Sequence, residues 1–320
     1  MRDLPHELRS GPFTRARALE LGVTSRMLQG QQFVSIHRGV WRHRELEMTS
    51  TGLVAAARLA LPDHAHLTGI TRLQALGLDF GPRAPVRFVV EGDLHLVLDG
   101  VFLHRTVRLP PTDEVGVIPA AAFIAYCAKA RVIDAIKVGD WLLHGGHITV
   151  EQVELLALSG LWRDGAHEAI WVLPHLSARS RSLKESETRS VLRFAGLPEA
   201  EVNAAVDVHE EVEVIADLVY RRWMTIVEYE GIQHQTDREQ YVADLDRYGL
   251  LRGAGLRYVQ VTHEKLSHPK ILVGEVYRAL LAGGYDGPVP RFEEHWRQLF
   301  LPISTAVGPR RLRAIGSAVA

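Results

Sequence analysis

The sequence predicts a multi-domain α/β protein, and three observations carry that expectation. A chain of 320 residues exceeds what one compact core usually serves, so two or three domains are expected. Helical and strand periodicities alternate along its length instead of falling into separate blocks. The polar, basic run Ala178-Arg179-Ser180-Arg181-Ser182-Leu183-Lys184 marks a change of character before the last third. The expected division is 1–47, 48–178, 179–290 and a C-terminal tail at 291–320.

Residues 13–45 carry the pattern helix, tight turn, helix, hairpin. A helical run over 15–21 stops at Gly22, and Thr24 is placed to cap a second helix over 25–29. Two short strands follow in Phe33-Val34-Ser35-Ile36-His37-Arg38-Gly39-Val40-Trp41-Arg42, turning near Arg38-Gly39. This is the layout of a winged helix, whose second helix enters the DNA major groove while its hairpin follows the backbone. Ser25, Arg26 and Gln29 are then the reading residues, with Arg38 and Arg42 on phosphates. Winged helices also dock proteins, and that alternative stays open.

The middle region offers helices over 50–60, 68–76, 123–129, 132–144 and 150–158, with strands over 86–91, 94–98 and 101–104. His64, His66, His95, His104, His144 and His147 lack metal-ligand spacing, so hydrogen-bonded or solvated histidines are expected. No chemistry is expected in this linker or specificity region.

The last third predicts a helix from Ser186-Glu187 to Phe194, ended by Gly196 and Pro198. Strands follow over 202–208, 213–220 and 224–229, then a long helix over 237–254, a strand over 257–261 and a helix over 271–282. That order describes a mixed sheet flanked by helices.

On the third of these strands Glu228 and Glu230 are two apart and share a face. Asp217 lies on the preceding strand, and the short Arg221-Arg222 turn makes the two strands neighbours. Three converging carboxylates repel unless a cation neutralises them, and oxygen-only ligands suit Mg²⁺ or Mn²⁺. Such an ion generates hydroxide and stabilises charge on a phosphodiester under attack. Asp217, Glu228 and Glu230 are therefore the expected metal ligands. His234 is placed to move a proton, and Glu187 to orient a metal-bound water. Asp244 and Arg247 share a helix face and fit either a DNA contact by Arg247 or a surface salt bridge, as Asp237 fits the latter.

These motifs resemble the very-short-patch-repair-like endonuclease domains of the PD-(D/E)xK superfamily, which have a restriction-endonuclease-like fold. More narrowly, they resemble the bacterial "domain of unknown function 559". The resemblance rests on Glu187, Asp217-Leu218, Glu228-Tyr229-Glu230-Gly231-Ile232-Gln233-His234 and Asp244-Leu245-Asp246-Arg247. Ala195-Gly196-Leu197-Pro198 and Val259-Gln260-Val261-Thr262 add to it. It implies a metal-dependent DNA endonuclease acting in repair or phage defence. Two departures stand out: Glu230 occupies the place of the superfamily's lysine, and the narrower family usually has Asp there. Residues 1–45 resemble the winged-helix domain of AbiEi-type antitoxins of type IV toxin–antitoxin systems. That likeness implies DNA binding and a toxin or defence-system partner, and it supports an alternative function, a non-catalytic DNA-binding regulator. An RNA substrate stays open, since the metal chemistry does not choose between the polymers.

Composition bounds the rest. Net charge is −1, so the whole chain does not announce a nucleic-acid binder. The charge is unevenly spread: Arg9, Arg15, Arg17, Arg26, Arg38, Arg42 and Arg44 lie early, and Glu210, Glu211, Glu213, Asp217, Glu228 and Glu230 late. A DNA-reading head on a metal-dependent cutter fits that split, and so does a solvated surface. A single cysteine, Cys127, excludes an internal disulfide and a cysteine-ligated zinc. No apolar run reaches the ~20 residues of a membrane span, and the first seven residues lack a signal-peptide core. A cytoplasmic protein without membrane contact is expected.

Overall fold

The computed structural model describes residues 4–209, 212–230, 249, 251 and 253–308. The chain folds as a mixed α/β protein in two compact units, residues 1–125 and 126–320. No helix among the described residues is long and apolar enough to cross a membrane.

The first unit opens with α1 (His6–Ser10), β1 (Phe13–Thr14), α2 (Arg15–Glu20), α3 (Ser25–Leu28), β2 (Phe33–His37) and β3 (Val40–His43). The expected helices and hairpin are present, while α1 and β1 are additions. Both helices start where a threonine oxygen takes an orphan amide: Thr14 accepts from Arg17 N–H at 3.1 Å and Thr24 from Met27 N–H at 3.3 Å. Gly39 turns the hairpin at φ +80°. β1, β3 and β2 form an antiparallel sheet in that order. Leu8, Phe13, Ala18, Val23, Leu28 and Phe33 fill the space beneath.

The same unit continues with α4 (Ser50–Ala60), β4 (His66–Leu67), α5 (Gly69–Gln74), β5 (Val86–Glu91) and β6 (Val101–Thr106). β4 pairs antiparallel to β5, and β5 parallel to β6. The parallel pairing explains why residues 94–98 form no strand. The connection must run back along β5, and this segment is the return path. Its alternating leucines imitate a strand because Leu96 and Leu98 pack down onto the core of Leu67, Val86 and Phe88.

Helix α6 (Pro119–Cys127) leads into the second unit, where α7 (Val132–His144), α8 (Val150–Leu158) and α9 (Ala166–Val172) precede α10 (Leu183–Phe194). A sheet of β7 (Glu201–His209), β8 (Val212–Tyr220), β9 (Thr225–Tyr229) and β10 (Arg257–Val261) follows. Its order is β10-β9-β8-β7, with β10 parallel to β9 and the other pairs antiparallel, which is the expected mixed sheet. The chain continues through α11 (His263–Ser267), α12 (Pro269–Ala282), α13 (Glu294–Gln298) and α14 (Ile303–Val307).

Two expected boundaries do not divide this unit. The step at 178/179 lies within one core, because α7 and α10 are joined by a buried ion pair. Arg189 Nη2 donates to Asp140 Oδ2 at 2.7 Å, and Ser177 N–H donates to Asp140 Oδ1 at 2.7 Å. Residues 291–308 are likewise no loose tail. Trp296, Leu299 and Ile303 are buried, and the Val132 and Ile133 amides donate to Leu301 O and Leu299 O. These carbonyls satisfy the orphan N–H groups at the start of α7.

Asp140 is fully buried and Arg189 nearly so. Truncating one partner strands the other charge in a low-dielectric setting. Asp140→Ala is expected to lower stability by about 3–5 kcal/mol, measured as a shift in urea unfolding. A loss under about 1 kcal/mol, the range of an exposed pair, would show that the ion pair does not hold α7 to α10.

Candidate functional site

The second unit places the acidic residues of β8 and β9 at one end of their ladder. Paired residues run from Tyr220↔Thr225 through Val219↔Ile226 to Leu218↔Val227, and there the pairing stops. The next amide aimed toward β8 belongs to Tyr229. It donates to Asp217 Oδ2 at 2.8 Å, so a carboxylate takes the place of a backbone carbonyl. A carboxylate held by an N–H group is a charge-assisted contact and fixes the side chain's orientation.

Glu228 is 8% exposed, and Asp217 and Glu230 are half-buried. The acidic pair therefore sits on a largely buried strand, with Thr225, Ile226 and Val227 buried before it. β10 secures β9 from the other side: Gln260 pairs with Glu228, and Glu230 N–H donates to Val261 O at 2.8 Å. Lys265 then fixes the β10 end, donating to Gln260 O at 2.9 Å and Glu275 Oε2 at 2.7 Å. Gln260 beside Glu228 is a polar neighbour that sequence reasoning missed, although the expected parallel strand contained it.

Glu187 is in a different setting from the one expected. Its Oε2 accepts from Lys137 Nζ of α7 and from Lys184 Nζ, each at 3.0 Å. Burial pushes this carboxyl up, but the Lys137 and Lys184 ammonium groups outweigh it and hold the group below 4.5. A carboxylate shared by two ammonium groups is a structural anchor first. Lys137 was not legible as a neighbour, lying 50 residues upstream.

Glu185, one helical step earlier, is buried and faces the sheet. Its Oε2 accepts from Asn203 Nδ2 at 2.6 Å and from Arg181 N–H at 2.9 Å. Asn203 Nδ2 also donates to Arg179 O at 2.8 Å. Neither residue was singled out from sequence, since a left-handed residue in mid-strand leaves no periodic signal.

Among the described residues, no group of three or more His, Cys, Asp or Glu side chains is disposed to hold a metal ion. That covers the scattered histidines of the middle region: His144 Nδ1 lies 3.1 Å from Ala178 O, and His147 stacks on Trp141. The oxygen donors of Asp217, Glu228 and Glu230 have the chemistry a hard divalent ion takes. His234, Asp237, Asp244 and Arg247 lie outside the described residues.

In the first unit, Arg26 and Gln29 are exposed at α3, and Arg38 is exposed at the hairpin turn. Ser25 is half-buried, its Oγ accepting from Arg15 Nη2 at 2.8 Å. Arg42 departs from the expected phosphate role. Its Nη1 donates to the carbonyls of His43, Arg44 and Leu46 at 3.0, 2.8 and 2.8 Å, pinning the chain that leaves β3.

The Glu187 pairing has a pH signature. A carboxyl lowered on folding adds stability that is full above its unfolded pKa and lost as pH falls through the folded one. The gap in urea midpoint between wild type and Glu187→Gln is expected to be widest near neutrality. It should close as pH drops from about 5 toward 3. A gap that stays constant over that range would contradict the pairing.

No family model matches the chain, and neither a curated protein nor a solved structure matches it.

Proposed function

We propose that the second unit is a metal-dependent DNA endonuclease domain of the restriction-endonuclease-like class, guided by a winged helix in the first. The observation that carries the nuclease reading is the Asp217 carboxylate anchored on Tyr229 N–H, beside the Glu228-x-Glu230 pair. Residues from two strands are thereby set at one ladder end by backbone geometry, the rigid support that a reacting site needs. This agrees with the resemblance to the very-short-patch-repair-like domains.

In this reading Asp217, Glu228 and Glu230 hold Mg²⁺ or Mn²⁺. The ion supplies an activated water and offsets the charge that builds on the phosphodiester. Asp217 places one carboxylate edge toward β9, and Tyr229 N–H keeps it from rotating away. Glu228, inserted between Asp217 on β8 and Gln260 on β10, is shielded from bulk water, which strengthens its attraction for a cation. His234 moves the proton. Glu187 acts by joining α7 to α10 through its lysines, and orienting a metal-bound water becomes secondary. Arg247 stands as a DNA contact from the helix that follows.

The first unit reads DNA with α3 and the hairpin. Its order of helix, strand, helix, helix and hairpin is that of a winged helix, and Arg26, Gln29 and Arg38 are exposed where such a module meets the duplex. One observation favours a second reading, a metal-independent DNA-binding regulator of an antitoxin system. The described carboxylates do not by themselves form a three-residue metal group.

A strand-break assay on supercoiled plasmid with Mg²⁺ or Mn²⁺ separates the two. Asp217→Asn is the informative variant, because its amide oxygen still accepts from Tyr229 N–H while the charge is gone. Cutting by wild type is expected to need the metal. It should fall in Asp217→Asn by more than the about 100-fold that loss of an outer-shell partner costs. DNA retardation without strand breaks by the folded wild type would favour the regulator. In a retardation assay, Arg26→Ala is expected to weaken specific binding by about 1–3 kcal/mol, and unchanged binding would remove α3 from the interface.

A further inference from the structure

Strand β7 carries a left-handed residue in its middle, and that residue stands opposite Asp217. The β7–β8 register steps from Val202↔Leu218 to Ala204↔Ala216, leaving Asn203 and Asp217 across from one another outside the ladder. Asn203 has φ +46°, and among the described non-glycine residues only Met224 shares a positive φ. On its other side, Asp217 also lies beyond the last β8–β9 pair. The aspartate is thus out of register on both flanks.

Sheet geometry makes this consequential. In a regular pleat, side chains stand perpendicular to the sheet, while amide N–H groups lie within it. A side chain that accepts an in-plane N–H, as Asp217 does from Tyr229 at 2.8 Å, must sit on backbone turned out of the pleat. A regular pair at 203/217 would hold residue 217 in the pleat and aim its carboxylate off the sheet face.

We propose that the left-handed backbone of Asn203 is a positioning device that releases Asp217 from the β7–β8 ladder, so that its carboxylate locks onto Tyr229 N–H. Asparagine tolerates this backbone region better than other branched or bulky residues. The conformation is held by the two bonds from Asn203 Nδ2, to Arg179 O and to Glu185 Oε2. Glu185 is in turn fixed by Arg181 N–H, so the approach to α10 grips the strand at this point. Asn203 is a positioning residue that acts through Asp217. The catalytic consequence rests on the proposed reading of Asp217 as a metal-binding carboxylate.

Two variants isolate the backbone from the side chain. Asn203→Gly and Asn203→Ala both lose the amide group, but only glycine adopts positive φ without strain. The first readout is hydrogen exchange of the metal-free protein, comparing Tyr229 N–H with Val227 N–H as a control inside the same strand. Tyr229 protection is expected to persist in Asn203→Gly and to fall about tenfold or more in Asn203→Ala, with Val227 unchanged. The second readout is the Mg²⁺ concentration for half-maximal plasmid cutting, expected to rise about tenfold in Asn203→Ala and to stay near wild type in Asn203→Gly. Equal Tyr229 protection in the two variants would overturn the proposal. If Asn203→Ala does not fold, Asn203→Gly decides alone: retained Tyr229 protection supports the device, and lost protection overturns it. If wild type does not cut but the exchange pattern holds, the nuclease reading falls and the positioning role stands.

Discussion

A single amide that finds no backbone partner organises the acidic end of the second unit. Tyr229 N–H points toward β8 just past the last ladder pair, and a buried or half-buried N–H left without an acceptor costs as much as a lost hydrogen bond. Asp217 supplies the acceptor. Its placement then depends on β7 yielding at Asn203, on Glu185 and Arg179 holding that residue, and on β10 fixing β9 from the far side. The arrangement couples α10, β7, β8, β9 and β10 through polar contacts at one end of the sheet. The apolar cluster of Ala204, Val206, Ala216, Val219 and Ile226 sets the sheet's body.

Two kinds of charge burial divide the labour around α10. Asp140 and Arg189 form a tight pair whose purpose is cohesion, since the carboxylate meets both a guanidinium and the Ser177 amide. Glu187 instead gathers two lysines, one from α7 and one from its own helix. Helix α10 is short on apolar residues for a helix so buried, with Ser186, Thr188 and Ser190 returning their hydroxyls to Ser182 O, Lys184 O and Ser186 O. Satisfying hydroxyls within the helix lets it pack closely without stranding polar atoms.

The regular part of this architecture was legible in the residues, and the irregular part was not. Val132–His144, Val86–Glu91 and Arg257–Val261 fall where periodicity placed them, because each buries one face against a neighbour. Thr24 and Gly39 announced a cap and a turn through local chemistry. The two-residue spacing of Glu228 and Glu230 put both on one strand face. Misreadings arose where tertiary contacts decide. Leu94–Leu98 alternate like a strand but return along β5; Arg42 lies in the hairpin but bonds inward; residues 291–308 read as a tail but cover α7. Glu185 and Asn203 meet 18 residues apart through a backbone conformation that no pattern of residue types encodes.

The closure of α7 by the last described turns bears on how the chain is made. Ala130 O, Val132 N–H and Ile133 N–H find their partners only in residues near 299–303. During vectorial synthesis those partners emerge more than a hundred residues after the helix they complete. Until then the start of α7 stays solvated, and the second unit cannot finish folding stepwise from its leading edge. The first unit has no such debt, since its two sheets and their cores close on residues already translated. The two halves of one polypeptide therefore mature on different schedules, the leading half at the ribosome and the trailing half only as the chain nears release.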